Sequence, residues 1–171
     1  MAVSTELREK REAIVREHME SENRHEFDAT LATFDHPRYE LIATGEVYDG
    51  PEEVSRYFEE TRGAFPDQHN EAIAIHHADD AVLVEAWVRG THLGSYRGLP
   101  PTGRHWEMQI LSVFMFEGDR LMCERVYFDA NTIREQLGVA HDPDSVTGRL
   151  STVFNHPITI GQAVVRRLTR R

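Results

Sequence analysis

An acid closing an apolar strand is the feature of this sequence best suited to proton chemistry. Asp129 follows Leu121, Cys123, Val126 and Phe128 and precedes Ala130, Asn131, Thr132 and Ile133. Two roles compete for its carboxylate. As the N-cap of a helix running to Leu137 and ended by Gly138, it accepts a free amide from Asn131 or Thr132 and is stabilised as the anion. Facing a pocket enclosed by a sheet, it loses hydration, its pKa rises from a reference of about 3.9, and it becomes a proton acceptor and donor near neutral pH. Around it stand further titratable or aromatic residues near the ends of segments that read as strands: Tyr127, His92, His105, Arg104, Glu85 and Trp87, with His36 and Tyr39 from an earlier segment. An apolar pocket with a few converging polar groups is the usual form of a small-molecule site.

Other chemistries find fewer residues. Lys10 is the single lysine and lies in a highly charged segment, which disfavours Schiff-base catalysis. Cys123 is the single cysteine, so no intrachain disulfide and no cysteine-based zinc site is expected, and its apolar strand marks it as core. Ten histidines invite a metal. However, His76 and His77 are adjacent on a strand and face opposite ways, and no His pair at helical spacing accompanies a Glu, so no metal site is expected. Gly90, Gly94, Gly98 and Gly103 lie in a hairpin loop and open no helix, which argues against a nucleotide cofactor. No serine nucleophile elbow is present.

A chain of 171 residues with 40% hydrophobic content suits one domain with one sizeable core. The formal net charge of -10 argues against nucleic acid or an anionic membrane as a partner. No apolar run approaches the roughly 20 residues that span a bilayer, and no signal-peptide core precedes the charged first helix, so a cytoplasmic location is the expectation.

The elements that must position these residues follow from hydrophobic period. A helix over 5–19, capped by Ser4 or Thr5, carries Leu7, Ile14, Val15, His18 and Met19. A second holds Phe27, Leu31 and Phe34 on one face, with Asn23 and Glu26 resembling a capping box, and ends at Pro37. A hairpin is expected over 39–48 around Thr44 and Gly45. Pro51 opens a third helix with Val54, Phe58 and Thr61 inward. From Gln68 the period becomes two, which predicts an antiparallel meander of strands over 69–77, 81–92, 103–116 and 120–129. The third of these is partly apolar on both faces, so each face needs a cover. After Gly138 the chain turns polar as far as Asp144, and a helix over 157–168 then ends among Arg166, Arg167, Arg170 and Arg171. A docking helix is favoured there over a membrane or phosphate patch.

The order His36-Pro37-Arg38-Tyr39, Gly90-Thr91-His92-x-Gly94, Gly98-Leu99-Pro100-Pro101-Thr102-Gly103-Arg104, Tyr127-x-Asp129 and Gln136-Leu137-Gly138 resembles the SnoaL-like polyketide cyclases, within the nuclear-transport-factor-2-like fold group. The resemblance implies an α+β cone over residues 1–138, a curved antiparallel sheet with N-terminal helices enclosing a pocket. Residues 139–171 would be a helical extension packing on the same domain or on a dimer partner. It also implies, at Asp129, the acid/base of a cofactor-free aldol closure. The segment where the cyclases carry a supporting His holds Val113, Phe114 and Met115 here. The expected function is acid/base catalysis, without metal or cofactor, on a small hydrophobic carbonyl compound. In that reading Asp129 and His92 are catalytic, Tyr127, His36, Arg104, His105 and Glu85 contact the substrate, Trp87 and Tyr39 wall the pocket, and the protein is a homodimer. Ligand binding without catalysis is the alternative.

Overall fold

The change of period at Gln68 is where the computed structural model passes into its long strands; it describes residues 3–169. Helices α1 (Thr5–Asn23) and α2 (Phe27–Ala32) precede a short hairpin, β1 (Arg38–Leu41) and β2 (Glu46–Asp49), and helix α3 (Pro51–Ala64). The meander β3 (His69–His77), β4 (Ala81–Thr91), β5 (His105–Glu117) and β6 (Arg120–Tyr127) runs into α4 (Ala130–Gln136). Two further helices, α5 (Val146–Asn155) and α6 (Pro157–Thr169), complete the described chain. The class is α+β, as expected. The sheet order is β2-β1-β6-β5-β4-β3. All pairings are antiparallel except β1 with β6, so the early hairpin extends the meander from its last strand.

Local chemistry sets the element ends. The Ser4 hydroxyl accepts the Leu7 amide at 3.2 Å and caps α1. The box expected between Asn23 and Glu26 does not form. Asn23 ends α1, and its amide instead donates to the Asn70 carbonyl and accepts the Asn70 amide, both at 2.8 Å, tying α1 to β3. Pro51 opens α3 behind Gly50, whose φ of +91° suits glycine. Gly94 meets a tighter constraint: a Cβ there would lie 1.9 Å from the Gly63 carbonyl oxygen, so only glycine lets the β4–β5 loop pass the end of α3.

The helices cover one face of the sheet. On β4, Val84, Ala86 and Val88 are buried, whereas Glu85 and Trp87 are exposed on the opposite face. On β5 the face carrying Trp106, Ser112, Phe114 and Phe116 is the inner one. Val15 of α1 and Val54 and Phe58 of α3, all fully buried, meet Val82, Val84 and Phe114 of the sheet. Burying each such side chain contributes about 1.5–3 kcal/mol. Arg11 is also buried, because its guanidinium donates to the Gly118 and Asp79 carbonyls at 2.7 and 2.9 Å and so fastens α1 over two hairpin turns. Cys123 is buried, and burial pushes its thiol up to about 11, which suits a core residue rather than a nucleophile.

The segment after Gly138 contains one helix more than its polar turn residues suggest. Ser145 caps α5 by accepting the Gly148 amide at 2.9 Å. Helices α5 and α6 pack on each other and leave Phe154 85% and Ile158 76% exposed. Arg170 and Arg171 lie outside the described residues.

Candidate functional site

Between the helical layer and the inner face lies a cavity of about 350 Å³. Tyr39, Tyr48 and Tyr57 form an aromatic wall, with ring centroids 5.5 Å apart for Tyr39 and Tyr57 and 5.0 Å for Tyr48 and Tyr57. Val88, Trp106, Met108, Ile110, Ser112 and Val126 supply the sheet side, and Ser95, Tyr96 and Arg97 of the β4–β5 loop border it. An ion pair from Arg97 to Glu46 of β2 fastens that loop.

Besides the exposed Glu60 of α3, two buried carboxylates line this largely apolar space, Glu22 from α1 and Glu124 from β6. They are held differently. Glu22 is committed to the buried Arg62 guanidinium of α3 at 2.5 Å. Glu124 is not: its Oε2 is buried and has no hydrogen-bond partner. It lies 3.2 Å from His18 Nε2, within ion-pair distance but without hydrogen-bond geometry.

The His18 ring is oriented by its other nitrogen. The Thr33 hydroxyl donates to the Thr30 carbonyl at 2.7 Å, so it accepts from His18 Nδ1 at 2.8 Å and fixes the proton there. Nε2 meets the Tyr39 hydroxyl at 2.7 Å. Burial first, then the Glu124 carboxylate, holds the Tyr39 phenol well above its usual pKa, so it stays a donor. The Tyr39 hydroxyl donates to the Nε2 lone pair that this tautomer leaves free.

The expected site residues are distributed otherwise. Tyr39 lines the cavity. Asp129 is exposed and caps α4, accepting the Asn131 amide and the Thr132 hydroxyl, each at 2.9 Å. The Asn131 amide first, then the Thr132 hydroxyl, holds its carboxyl below the usual range, the direction of a cap and opposite to that of a desolvated acid. A folded-state pKa below the unfolded one means that the cap stabilises the protein above the unfolded value of about 3.9 and is lost as pH falls through the folded value. Asp129→Ala is accordingly expected to cost about 1 kcal/mol at pH 7. Urea titrations at falling pH should show the gap from wild type narrowing.

Glu85, Trp87, His105 and Tyr127 are exposed, placed by strand alternation on the outer face, away from the cavity. Glu85 bonds His76 across the β3–β4 ladder at 3.1 Å. Arg104 is exposed beside Gly138, and His36 is exposed and bonded to Asp49 at 2.7 Å. His92 is fully buried behind the cavity lining, where Nδ1 accepts the Thr102 amide at 3.2 Å. Burial lowers its pKa, so the ring is neutral.

Glu124, Glu22, Arg62 and Trp106 were not among the expected site residues. The signal for Glu124 was an acid in register with Val126 and Phe128 on one strand face. Among the described residues, His18, Glu22 and Glu124 are the group whose ligand atoms could converge on a metal, lying within 4.8 Å of one another. The Arg62 guanidinium already supplies positive charge beside Glu22, and Tyr39 engages His18 Nε2, so a cation there would compete with both.

The model of the SnoaL-like polyketide cyclase family matches residues 12–137. No curated protein matches the chain significantly. Among solved structures, IdmH of Streptomyces antibioticus, a proposed polyketide cyclase, is 26% identical, with a TM-score of 0.62 over 75% of this chain and 99% of that one. A proposed polyketide cyclase of Xanthomonas campestris pv. campestris is 18% identical, with a TM-score of 0.70 over 77% and 98%. TsrD of Streptomyces laurentii is 17% identical, with a TM-score of 0.66 over 77% and 97%.

Proposed function

From the premise that this chain belongs to the SnoaL-like polyketide cyclase family, we propose that its cavity catalyses acid/base chemistry on a small hydrophobic carbonyl compound, with Glu124 as the group that moves the proton. One observation carries this reading: Glu124 is the cavity carboxylate with a buried oxygen that no protein group bonds, 3.2 Å from a histidine nitrogen that the Tyr39 hydroxyl engages.

The steps follow from that arrangement. The Glu124 carboxylate removes a proton alpha to a carbonyl, breaking the C–H bond and leaving an enolate. In an aldol closure the enolate carbon then forms a bond to a second carbonyl of the same molecule, whose oxygen becomes an alkoxide. The carboxylic acid just formed returns its proton to that alkoxide, and the carboxylate is restored. An isomerisation needs the same base and acid, with the proton returned at another carbon. His18 and Tyr39 form the polar backing beside Glu124. The aromatic wall excludes water, which strengthens the electrostatics of the enolate.

The first test is hydrogen exchange of a simple ketone. With 2-acetonaphthone in deuterium oxide, loss of the methyl proton signal reports proton abstraction alone. Catalysed exchange that Glu124→Gln removes supports the proposal. Saturable binding without exchange would make the protein a carrier of apolar ligands.

The proposal includes a homodimer in which α5 and α6 seat on a second copy. Five Arg against two Asp give residues 139–171 a net charge of +3, which leaves -13 of the total of -10 on residues 1–138. The exposed apolar side chains of the helix pair and its positive charge thus complement an acidic body. Sedimentation of the full chain should show a dimer that Phe154→Glu converts to monomer; a monomeric wild type would refute the assembly.

A further inference from the structure

Trp106 lines the cavity and carries a hydrogen-bond donor that no side chain or carbonyl of the protein accepts. It is 2% exposed, it lines the cavity, and its indole Nε1 is buried without a partner. A buried donor left unpaired costs about 1–3 kcal/mol, so such a group is normally satisfied by something that binds beside it. The indole is held from behind. Its ring stands edge-on to Phe65 with centroids 5.1 Å apart, inside a cluster completed by Val88, Ile133 and Leu137. A side chain so packed cannot swing its N–H to water.

The position of Trp106 along the strand says what the partner must be. On the inner face of β5 it pairs with Gly90, whereas Glu124 of β6 pairs with Phe114. Trp106 and Phe114 are eight positions apart on one strand, about 26 Å if the strand were straight. Trp106 and Glu124 therefore stand toward opposite ends of the largely apolar cavity that both line.

We propose that Trp106 is a specificity-determining donor for the ligand: it receives a carbonyl, ether or hydroxyl oxygen on an apolar skeleton, remote from the carbonyl that reacts at Glu124. This inference rests on the reading of the cavity as a site for carbonyl compounds. It adds a requirement that this reading does not contain, an oxygen at the far end. A pure hydrocarbon of the same shape fills the space but leaves the indole unpaired.

The test uses 6-methoxy-2-acetonaphthone and 6-ethyl-2-acetonaphthone, two ketones that differ by an ether oxygen in place of a methylene group at the end away from the carbonyl. Trp106 and Trp87 are the two tryptophans of the chain, so a nitrogen-15 spectrum holds two indole signals, assigned with Trp87→Phe. Trp87 lies on the outer face and serves as the control. The ether is expected to move the Trp106 indole proton downfield and leave Trp87 unmoved, and the ethyl ketone to move neither in that direction. The ether should bind about 2- to 10-fold more tightly than the ethyl ketone, and Trp106→Phe should abolish that preference. The wild-type spectrum gives the answer even where that variant fails to fold. An unmoved Trp106 signal on saturation with the ether, or equal affinity for the two probes, overturns the inference while leaving the Glu124 exchange result intact. Failure of both probes to bind overturns this inference and the cavity reading together.

Discussion

Glu124→Gln is expected to slow exchange of the methyl protons of 2-acetonaphthone by about 100- to 10,000-fold, the range for losing a positioned general acid or base. The substitution keeps the shape of the side chain and removes its ability to take a proton. Ketone affinity should change far less, because Tyr39, Tyr57, Val88 and Ile110 still line the apolar space. A loss confined to the rate is what separates proton transfer from binding. The competing acid is Asp129, exposed and bonded to the Asn131 amide at 2.9 Å. Exchange that survives Glu124→Gln but falls with Asp129→Ala would return the role to the aspartate, and would require α4 to unwind so that its cap could turn inward.

Where the structure places these two acids shows what the sequence could disclose. Strand alternation was legible because it is local: the β3 bounds read from period two are those of the structure, and the other three strands shift by one or two residues at their ends. The site depended on a finer reading of the same alternation. Val126 and Phe128 line the cavity, so Glu124 shares their face and Asp129 does not. A residue count from Phe128 therefore favours the glutamate, while the position of Asp129 at a strand end before a short helix is that of a cap. The inner face of α1 was harder to see. Arg11, Val15, His18 and Glu22 recur at helical spacing and all are buried, but two of them are charged, so the apolar pattern that reveals an inner face is diluted. Their partners, Gly118, Glu124 and Arg62, stand 40 or more residues away. No short-range pattern encodes such a pairing. The outer-face residues Glu85, Trp87, His105 and Tyr127 drew attention by type, and type does not report the direction in which a strand points them.

Arg62→Met is expected to lower stability by about 3–5 kcal/mol, the cost of breaking a buried ion pair from one side. At about 2–4 °C per kcal/mol for a chain of this size, the melting temperature falls by about 6–20 °C. The pair is well shielded, with side-chain exposures of 6% for Arg62 and 9% for Glu22, so solvent screens it little. What destabilises the variant is the Glu22 carboxylate left behind in an apolar cavity wall. The discriminating measurement is therefore the double variant Glu22→Met with Arg62→Met, which removes both charges and should recover most of the loss. Thermal melts of the three proteins give the coupling directly. The same variants bear on catalysis, because Glu22 Oε2 lies 3.9 Å from His18 Nε2 and Glu124 lies 3.2 Å from the same nitrogen. With Arg62 removed, Glu22 is free to turn toward His18 and disturb its contact with Glu124, so exchange should weaken in Arg62→Met and return in the double variant. An Arg62→Met protein that melts like wild type would mean that water reaches Glu22 through the cavity, and the dry environment assigned to Glu124 would fail with it.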